Sequence, residues 1–444
     1  MSREIHPETL SGWGGPAVPG REAVSEDLAS LARGAVLTRG LGRSYGDSSL
    51  PPPGVERVAG SRLADRVLAF DPASLVLRAE AGLALADLAW LLLPRGLFPP
   101  VVPGTQYVTL GGMVAADVHG KNHHVEGSFG RHVLELVLLT ADGERVCCSR
   151  HENAELFRAT LGGMGLTGHI LEVAFRLVRI PSSWVVEETR SVRGIDEFLA
   201  ELAAAAREWP FTVGWIDCLA GGARLGRGVL FRGRWASVEE APARRPCPLR
   251  GPAVPFYFPA WALNDLTVRL FNFVYAHRHS RRARRRVVHP QKFFWPLDGV
   301  RLWNRIYGRR GFTQFQCVLP EQERPGATRR FLSAAVARGG ASFLCVVKDC
   351  GDEGEGVLSF PRRGISIALD LPLRRETPAL VQELAELVIA EGGRIYLAKD
   401  AFVRADQWLR MEPRLSEFQR ARETWDPHRR LRSLQSVRLM GDPK

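Results

Sequence analysis

No Cys-x-x-Cys pair occurs in this sequence. Its seven cysteines (Cys147, Cys148, Cys218, Cys247, Cys317, Cys345 and Cys350) are odd in number and scattered. That fits free thiols in a reducing compartment better than a disulfide framework. No apolar run is long enough to cross a bilayer: the longest, Leu83 to Leu93, contains Asp87 and stops at Pro94. The opening residues, M-S-R-E-I-H-P-E-T-L, lack the apolar core of a secretory signal, so a cytoplasmic location is expected. Internal repeats and low-complexity tracts are also missing. What remains is an ordinary soluble composition, 45% hydrophobic and 24% charged over 444 residues, long enough for a large core and two domains.

Negative charge is in deficit, and the net charge is +12. A basic balance fits nucleic acid, membrane phosphates or a phosphorylated substrate. The excess is uneven: residues 278–286, R-H-S-R-R-A-R-R-R, hold six arginines in nine positions, just after an amphipathic, aromatic-rich segment from Trp261 to Tyr275. The cluster reads either as a solvated loop or as a peripheral membrane contact through 261–286, where each basic residue is worth about 1 kcal/mol near anionic lipid. No nucleic-acid-binding motif accompanies the charge. A non-enzymatic nucleic-acid-binding protein is therefore the remote alternative, and no nucleic-acid partner is expected.

The most informative stretch runs from Pro103 to Gly130, P-G-T-Q-Y-V-T-L-G-G-M-V-A-A-D-V-H-G-K-N-H-H-V-E-G-S-F-G. Six glycines alternate with small and apolar residues, which suggests backbone lying against something large and flat. The stretch then turns polar at Asp117, His119, Lys121, Asn122, His123 and His124. A backbone cradle leading into titratable groups reads as a cofactor site with its chemistry attached.

Along the chain, apolar spacing predicts helices over Glu22–Arg33, Ala84–Leu93 and Glu152–Leu161, and strands over Ala35–Thr38, Leu75–Ala79, Val133–Thr140 and His169–Leu177. The mixture is irregular, without a βαβαβ rhythm, so the fold class is α+β. From Ser182 the pattern changes to a second α+β unit: strand Trp184–Thr189, helix Ile195–Glu208, strand Thr212–Cys218, a Pro- and Arg-rich stretch near 236–290 read as a mobile insertion, and further strands and helices from Phe312 to Gly392. The tail, 394–444, carries Y-L-A-K-D and two helical segments.

Three motifs fail on context. Gly42-Arg-Ser-Tyr-Gly46 has the letters of a hydrolase nucleophile elbow, but a proline-rich segment follows where a helix is required. Gly163-Met-Gly-Leu-Thr-Gly168 matches a dinucleotide fingerprint, but its order is helix, glycines, strand, the reverse of what a pyrophosphate on a helix N-terminus needs. His119, His123 and His124 have no nearby acidic third ligand, with Asp117 expected to point elsewhere on a strand, and no metal is expected.

Three glycine-rich segments together resemble the vanillyl-alcohol-oxidase-type FAD flavoproteins: R-G-L-G-R-S-Y-G-D (Arg39 to Asp47), the Pro103–His124 run, and G-G-M-G-L-T-G (Gly162 to Gly168). H-G-K-N-H-H, Y-L-A-K-D, P-L-D…W-N-R-I-Y-G (Pro296 to Gly308) and F-T-Q-F-Q (Phe312 to Gln316) resemble the subfamily that oxidises the 2′-hydroxyl of decaprenylphosphoryl-ribose. The resemblance covers roughly 12–431. It implies an FAD-binding domain built from 8–181 and 394–444, with a substrate-binding cap over 182–393.

Carried over residue by residue, the resemblance implies that Arg39, Gly40, Leu41, Gly42, Arg43, Ser44, Tyr45, Gly46, Asp47, Ser48, Gly104, Thr109, Leu110, Gly111, Gly112, Ala116, Asp117, Val118, His119, Ile170 and Tyr396 hold FAD. His119, Lys121, Gln316 and Lys399 would face the substrate, with Lys399 or His119 as the base. Relatives with covalent FAD use a histidine in an R-S-G-G-H loop; here Arg43-Ser-Tyr-Gly-Asp47 has no His or Cys, so the FAD should be non-covalent. The implied reaction turns a sugar, lipid-linked through a polyprenyl phosphate, into its 2′-keto form, which a short-chain NADH-dependent reductase partner then reduces to complete an epimerisation. The alternative is an FAD-dependent oxidase of a free sugar, alditol, aldonolactone or nucleoside sugar. Phe293-Phe-Trp-Pro-Leu-Asp298 stands where the subfamily has aromatic-Tyr-His-Pro-Leu-Asp, and Ala368 where mycobacterial members have cysteine. Both are expected to line the substrate side.

Overall fold

The computed structural model describes residues 3–5, 9–15, 17–278, 284–339 and 343–444. Three larger sheets carry the chain. In the first, Arg21–Val24 and Thr38–Arg39 run parallel to Arg57–Gly60 on either side of it. The second is antiparallel, in the order Arg145–Ser149, Val133–Leu139, His169–Arg176, Val76–Glu80, Val67–Asp71. Its hairpin turns at 140–144, as the Ala-Asp-Gly-Glu signal predicts, and sets Leu139 opposite Arg145. Helices Leu85–Leu92, Leu110–Ala115 and Ala154–Thr160 bury Leu85, Leu88, Leu110, Met113 and Phe157 in one core with Leu136, Leu138, Val173 and Phe175 of the strands.

The third sheet has eight antiparallel strands, in the order Arg284–Val288, Val185–Val192, Gly228–Trp235, Phe211–Ile216, Cys345–Cys350, Gly364–Pro372, Phe312–Leu319, Arg394–Ile395. The two-residue period of a strand sorts its faces. One row across the register, Cys317, Ile367, Val347 and Gly214, belongs to the face that packs on the Ile195–Glu208, Ala327–Arg338 and Thr377–Ala390 helices through Phe198, Phe331 and Leu384. The adjacent row, Gln316, Ala368, Val346 and Trp215, faces a cavity. The architecture is α+β, as expected.

One local expectation is corrected. The helix predicted over Glu22–Arg33 is a strand, Arg21–Val24, followed by a short helix, Leu28–Ala32. Ala23 and Val24 are buried by pairing with Arg57–Gly60, and Glu22 faces Arg39 and Arg62 at 3.5 and 3.6 Å. The helix starts only where the Asp27 carboxylate accepts the Ser30 N–H at 3.0 Å. Within 236–290, read from the sequence as a mobile insertion, lie the Asp265–Arg278 helix and the Arg284–Val288 strand, an edge of the eight-stranded sheet. Within the arginine run, Arg281 and Arg282 lie outside the described residues.

Candidate active site

A cavity of about 870 Å³ lies between the glycine-rich loops and the open face of the eight-stranded sheet. One part of its lining is rich in glycine, with small polar, apolar and aromatic neighbours: Gly40, Leu41, Gly42, Arg43, Ser44, Tyr45, Ser48, Gly104, Thr109, Gly111, Gly112, Ala116, Val118, Ile170 and Tyr396. A Cβ built on Gly104 would meet nothing within 4 Å, so the main chain there borders open space. The Arg43 guanidinium stacks on Trp13 at 4.1 Å and leaves its buried Nε without a partner, while burial pulls its pKa below the usual range. A wall of bare backbone, serine hydroxyls and one stacked, under-bonded cation fits the FAD dinucleotide: the loop would hold phosphates and the small residues would accept a flat ring.

Of the other residues expected to touch FAD, four turn their side chains, and Gly46 its Cα, toward the fold. Arg39 donates to Ser49 O at 2.8 Å and Ser11 O at 2.7 Å, and the loop wraps over it so tightly that a Cβ on Gly42 (φ +61°) would lie 2.1 Å from its guanidinium. Asp47 is turned away, paired with Arg438 at 2.8 Å. Gly46 packs on the backbone of Asp400, where a Cβ would sit 1.7 Å from its carbonyl oxygen. Leu110 is buried in the apolar core. Asp117 lies in a turn at φ +36°, not on a strand, and its carboxylate accepts the Gly130 N–H at 2.7 Å, the Ser128 hydroxyl at 2.8 Å and the Ser359 hydroxyl. Arg39, Asp47 and Asp117 thus spend their side chains on shaping the loops that border the cavity.

The titratable groups of the cavity adjoin this wall at Tyr45 and Tyr396. Gln316 donates through Nε2 to His119 Nε2 at 3.0 Å and to Ser366 Oγ at 3.1 Å, which leaves the proton of neutral His119 on its unpartnered Nδ1. Burial, with Lys348 and Lys399 nearby, holds the His119 pKa well below the ordinary imidazole value. Lys399 lies 3.7 Å over the Tyr45 ring; burial and Lys348 push its pKa down to about 7 against the pull of Asp370. Asp370 is itself buried, accepting from Tyr307 at 3.0 Å and Gln314 at 2.5 Å, and burial pushes its pKa up to about 7. Lys121 donates to Phe293 O, and to Phe294 O at 3.3 Å, so it braces that turn while lining the cavity; burial and Lys348 push its pKa down to about 7.

All four residues expected on the substrate side, His119, Lys121, Gln316 and Lys399, therefore line one cavity. Ala368, Phe293 and Phe294 line it too, whereas Trp295 is buried and donates to Pro103 O at 3.0 Å. Sequence reasoning missed Lys348, Gln314 and Glu187, which also line it. Each sits among other polar residues of its strand, as Lys348 does beside Asp349, and only the register shows which of them face the cavity. His123 and His124 are engaged elsewhere: His123 Nδ1 accepts from Gly351 N at 3.0 Å and His124 Nε2 contacts Trp209 O at 3.0 Å.

Residues 23–149 match the FAD binding domain family. Decaprenylphosphoryl-beta-D-ribose oxidase of Mycolicibacterium smegmatis is 34% identical over 96% of this chain and 97% of its own length. An uncharacterized protein of Streptomyces coelicolor is 34% identical over 78% of this chain and 96% of its own length. L-gulonolactone oxidase of Bos taurus is 36% identical, over only 26% of each chain.

Proposed function

The chain belongs to the family of FAD-dependent oxidoreductases that includes decaprenylphosphoryl-beta-D-ribose oxidase, and on that premise we propose that it oxidises the 2′-hydroxyl of a decaprenylphosphoryl-β-D-ribose-like sugar to the 2′-keto sugar, the first half of an epimerisation to arabinose. The observation that carries this reading is the single cavity in which the glycine and serine wall runs into His119, Gln316 and Lys399. FAD held along Gly40–Tyr45, Gly104, Thr109, Gly111, Gly112 and Tyr396 would supply a two-electron acceptor. Lys399 takes the hydroxyl proton at Nζ, since an amine with a pKa of about 7 is matched to a general base at neutral pH. His119, with its pKa far lower, is the weaker base, and its role is to orient the sugar with Gln316. Residues 8–181 and 394–444 form the FAD-binding domain, and 182–393 form the substrate cap.

The lipid-linked sugar is favoured over a free sugar or aldonolactone by the aromatic wall of the cavity, Trp215, Phe231, Phe271, Tyr275 and Phe343. A polyol has no use for such a surface; an isoprenoid phosphate has. The enzyme works in the cytoplasm, peripheral to the membrane that holds this lipid, and a short-chain NADH-dependent reductase consumes the keto product. In anaerobic mixing, a short-chain prenylphosphoryl ribose is expected to bleach the bound flavin, while free ribose and gulonolactone leave it oxidised. Bleaching by the lactone alone would reverse the assignment.

The FAD is non-covalent, because Arg43–Asp47 offers no histidine or cysteine to attach it. When the protein is precipitated in acid and spun, the yellow colour is expected in the supernatant. A yellow pellet would sink this point while leaving the substrate assignment intact.

A further inference from the structure

The Asp265–Arg278 helix is apolar on the wrong side. Its packed stripe is Val268, Asn272 and Tyr275, spaced i, i+4, i+7, with Asn272 fully buried and donating to Asp217 at 2.7 Å. The opposite stripe, Leu266, Leu270 and Val274, spaced i, i+4, i+8, is 76%, 61% and 53% exposed. A helix whose outer face met only water would be polar there. Trp261, 75% exposed, and Phe256, 61% exposed, extend the apolar surface along the preceding segment. Exposed Arg269 and Arg278 lie at the flanks of the apolar stripe, and Arg305 and Arg309 each stack at 5.5 Å on the neighbouring Tyr257. Among the described residues no helix is long and apolar enough to cross a membrane. An apolar face rimmed by cations, on a helix too short to span, is the pattern of a segment lying in the headgroup plane.

Two arginines of the 278–286 run have partners on the sheet, while Arg278 stays at the flank of the apolar stripe. Arg286 pairs with Glu187 at 2.8 Å and Arg285 with Glu240 at 3.0 Å, so these cations are spent on the edge strand of the sheet. On its inner side the helix brings Phe271 and Tyr275 to the cavity wall. It therefore separates the cavity from the exposed apolar face.

We propose that the outer face of the Asp265–Arg278 helix, with Trp261 and Phe256, docks on an anionic bilayer, so that a lipid-linked sugar enters the cavity past a single helix. This rests on the lipid-linked substrate assigned above. Zwitterionic lipid offers the arginines no net charge, so the commitment is to anionic headgroups, with an attraction that salt screens over about 8 Å at physiological strength.

The test uses the full-length flavin-bound enzyme and vesicles without substrate. Wild type is expected to co-sediment with phosphatidylglycerol vesicles, less so with added salt, and weakly with phosphatidylcholine. Leu266→Ser/Leu270→Ser is expected to lower partitioning roughly tenfold or more, as withdrawal of two leucines from apolar contact implies. Arg269→Ser/Arg278→Ser should flatten the salt dependence. Retained flavin absorbance checks that the variants are folded. Equal partitioning of wild type and the leucine variant at low salt overturns the proposal, as does a dimer in wild type that the leucine variant abolishes. The two readings fail separately: detergent-dispersed prenylphosphoryl ribose should be oxidised at the same kcat by wild type and the leucine variant, and failure of both to oxidise it removes the substrate assignment without touching the vesicle result.

Discussion

Lys399→Met is expected to leave the flavin bound and to slow its reduction by substrate about 10²–10⁴-fold, the usual cost of a lost general base. The side chain lies over the Tyr45 ring, and its nearest acidic influence, Asp370, is already occupied by Tyr307 and Gln314. Burial disfavours the ammonium form and sets the pKa at about 7. A base acts when deprotonated, so the wild-type reduction rate should climb as pH rises through about 7 and then level, and this climb should vanish in Lys399→Met. Lys399→Arg keeps a cation but cannot release its proton at neutral pH, so it should be as slow as the methionine variant. Rapid-mixing absorbance of the bound flavin reads all three. A wild-type rate that falls with pH, or an arginine variant that reacts normally, would assign the lysine to binding rather than proton transfer.

Arg438→Met is expected to cost about 3–5 kcal/mol of stability, because it strips the cation from two carboxylates that remain buried. Arg438 reaches Asp47 at 2.8 Å and Asp400 at 2.9 Å. Burial raises the Asp47 pKa even with Arg438 beside it, so without the arginine the two acids must repel or take up protons. The damage should reach the cofactor loop, since Tyr45 N donates to Ala398 O at 3.1 Å and Gly46 packs on Asp400. The variant should lose flavin during purification and release the rest at a lower temperature than wild type. The milder Asp47→Asn, which keeps hydrogen-bonding capacity, should fall between them. A variant with wild-type flavin content and release temperature would show that the ion pair is not what holds the loop.

The glycine-rich segments were legible because their composition departs from any ordinary loop, and the order helix, glycines, strand around Gly163–Gly168 was enough to set aside a dinucleotide fold: the structure has Ala154–Thr160 before and His169–Arg176 after. What a given polar residue does there was not legible. Arg39, Asp47 and Asp117 sit in the motif with the letters of ligand residues, yet their partners are Ser11, Arg438 and Ser359, distant in sequence and without any pattern that links them. Lys348 was hidden for a related reason. Its strand, C-V-V-K-D-C, offers two adjacent polar residues, and only pairing of Lys348 with Ser366, two residues from Ala368, shows which of them turns toward His119. The arginine run shows the limit of composition: its charge count was plain, and its acidic partners Glu187 and Glu240 were not.

The Asp47–Arg438 pair spans 391 positions of sequence. Translation delivers residues at about 5–20 per second, and early segments fold first. The loop meant for the cofactor therefore emerges from the ribosome long before its counter-charge exists, and so does Gly46 before the Asp400 backbone it rests on. For most of its synthesis the nascent chain carries the glycine cradle without the clamp that shapes it. Stable flavin uptake is therefore expected only after Arg438 has emerged, when the Leu434–Met440 helix can reach back to the first turn of the site.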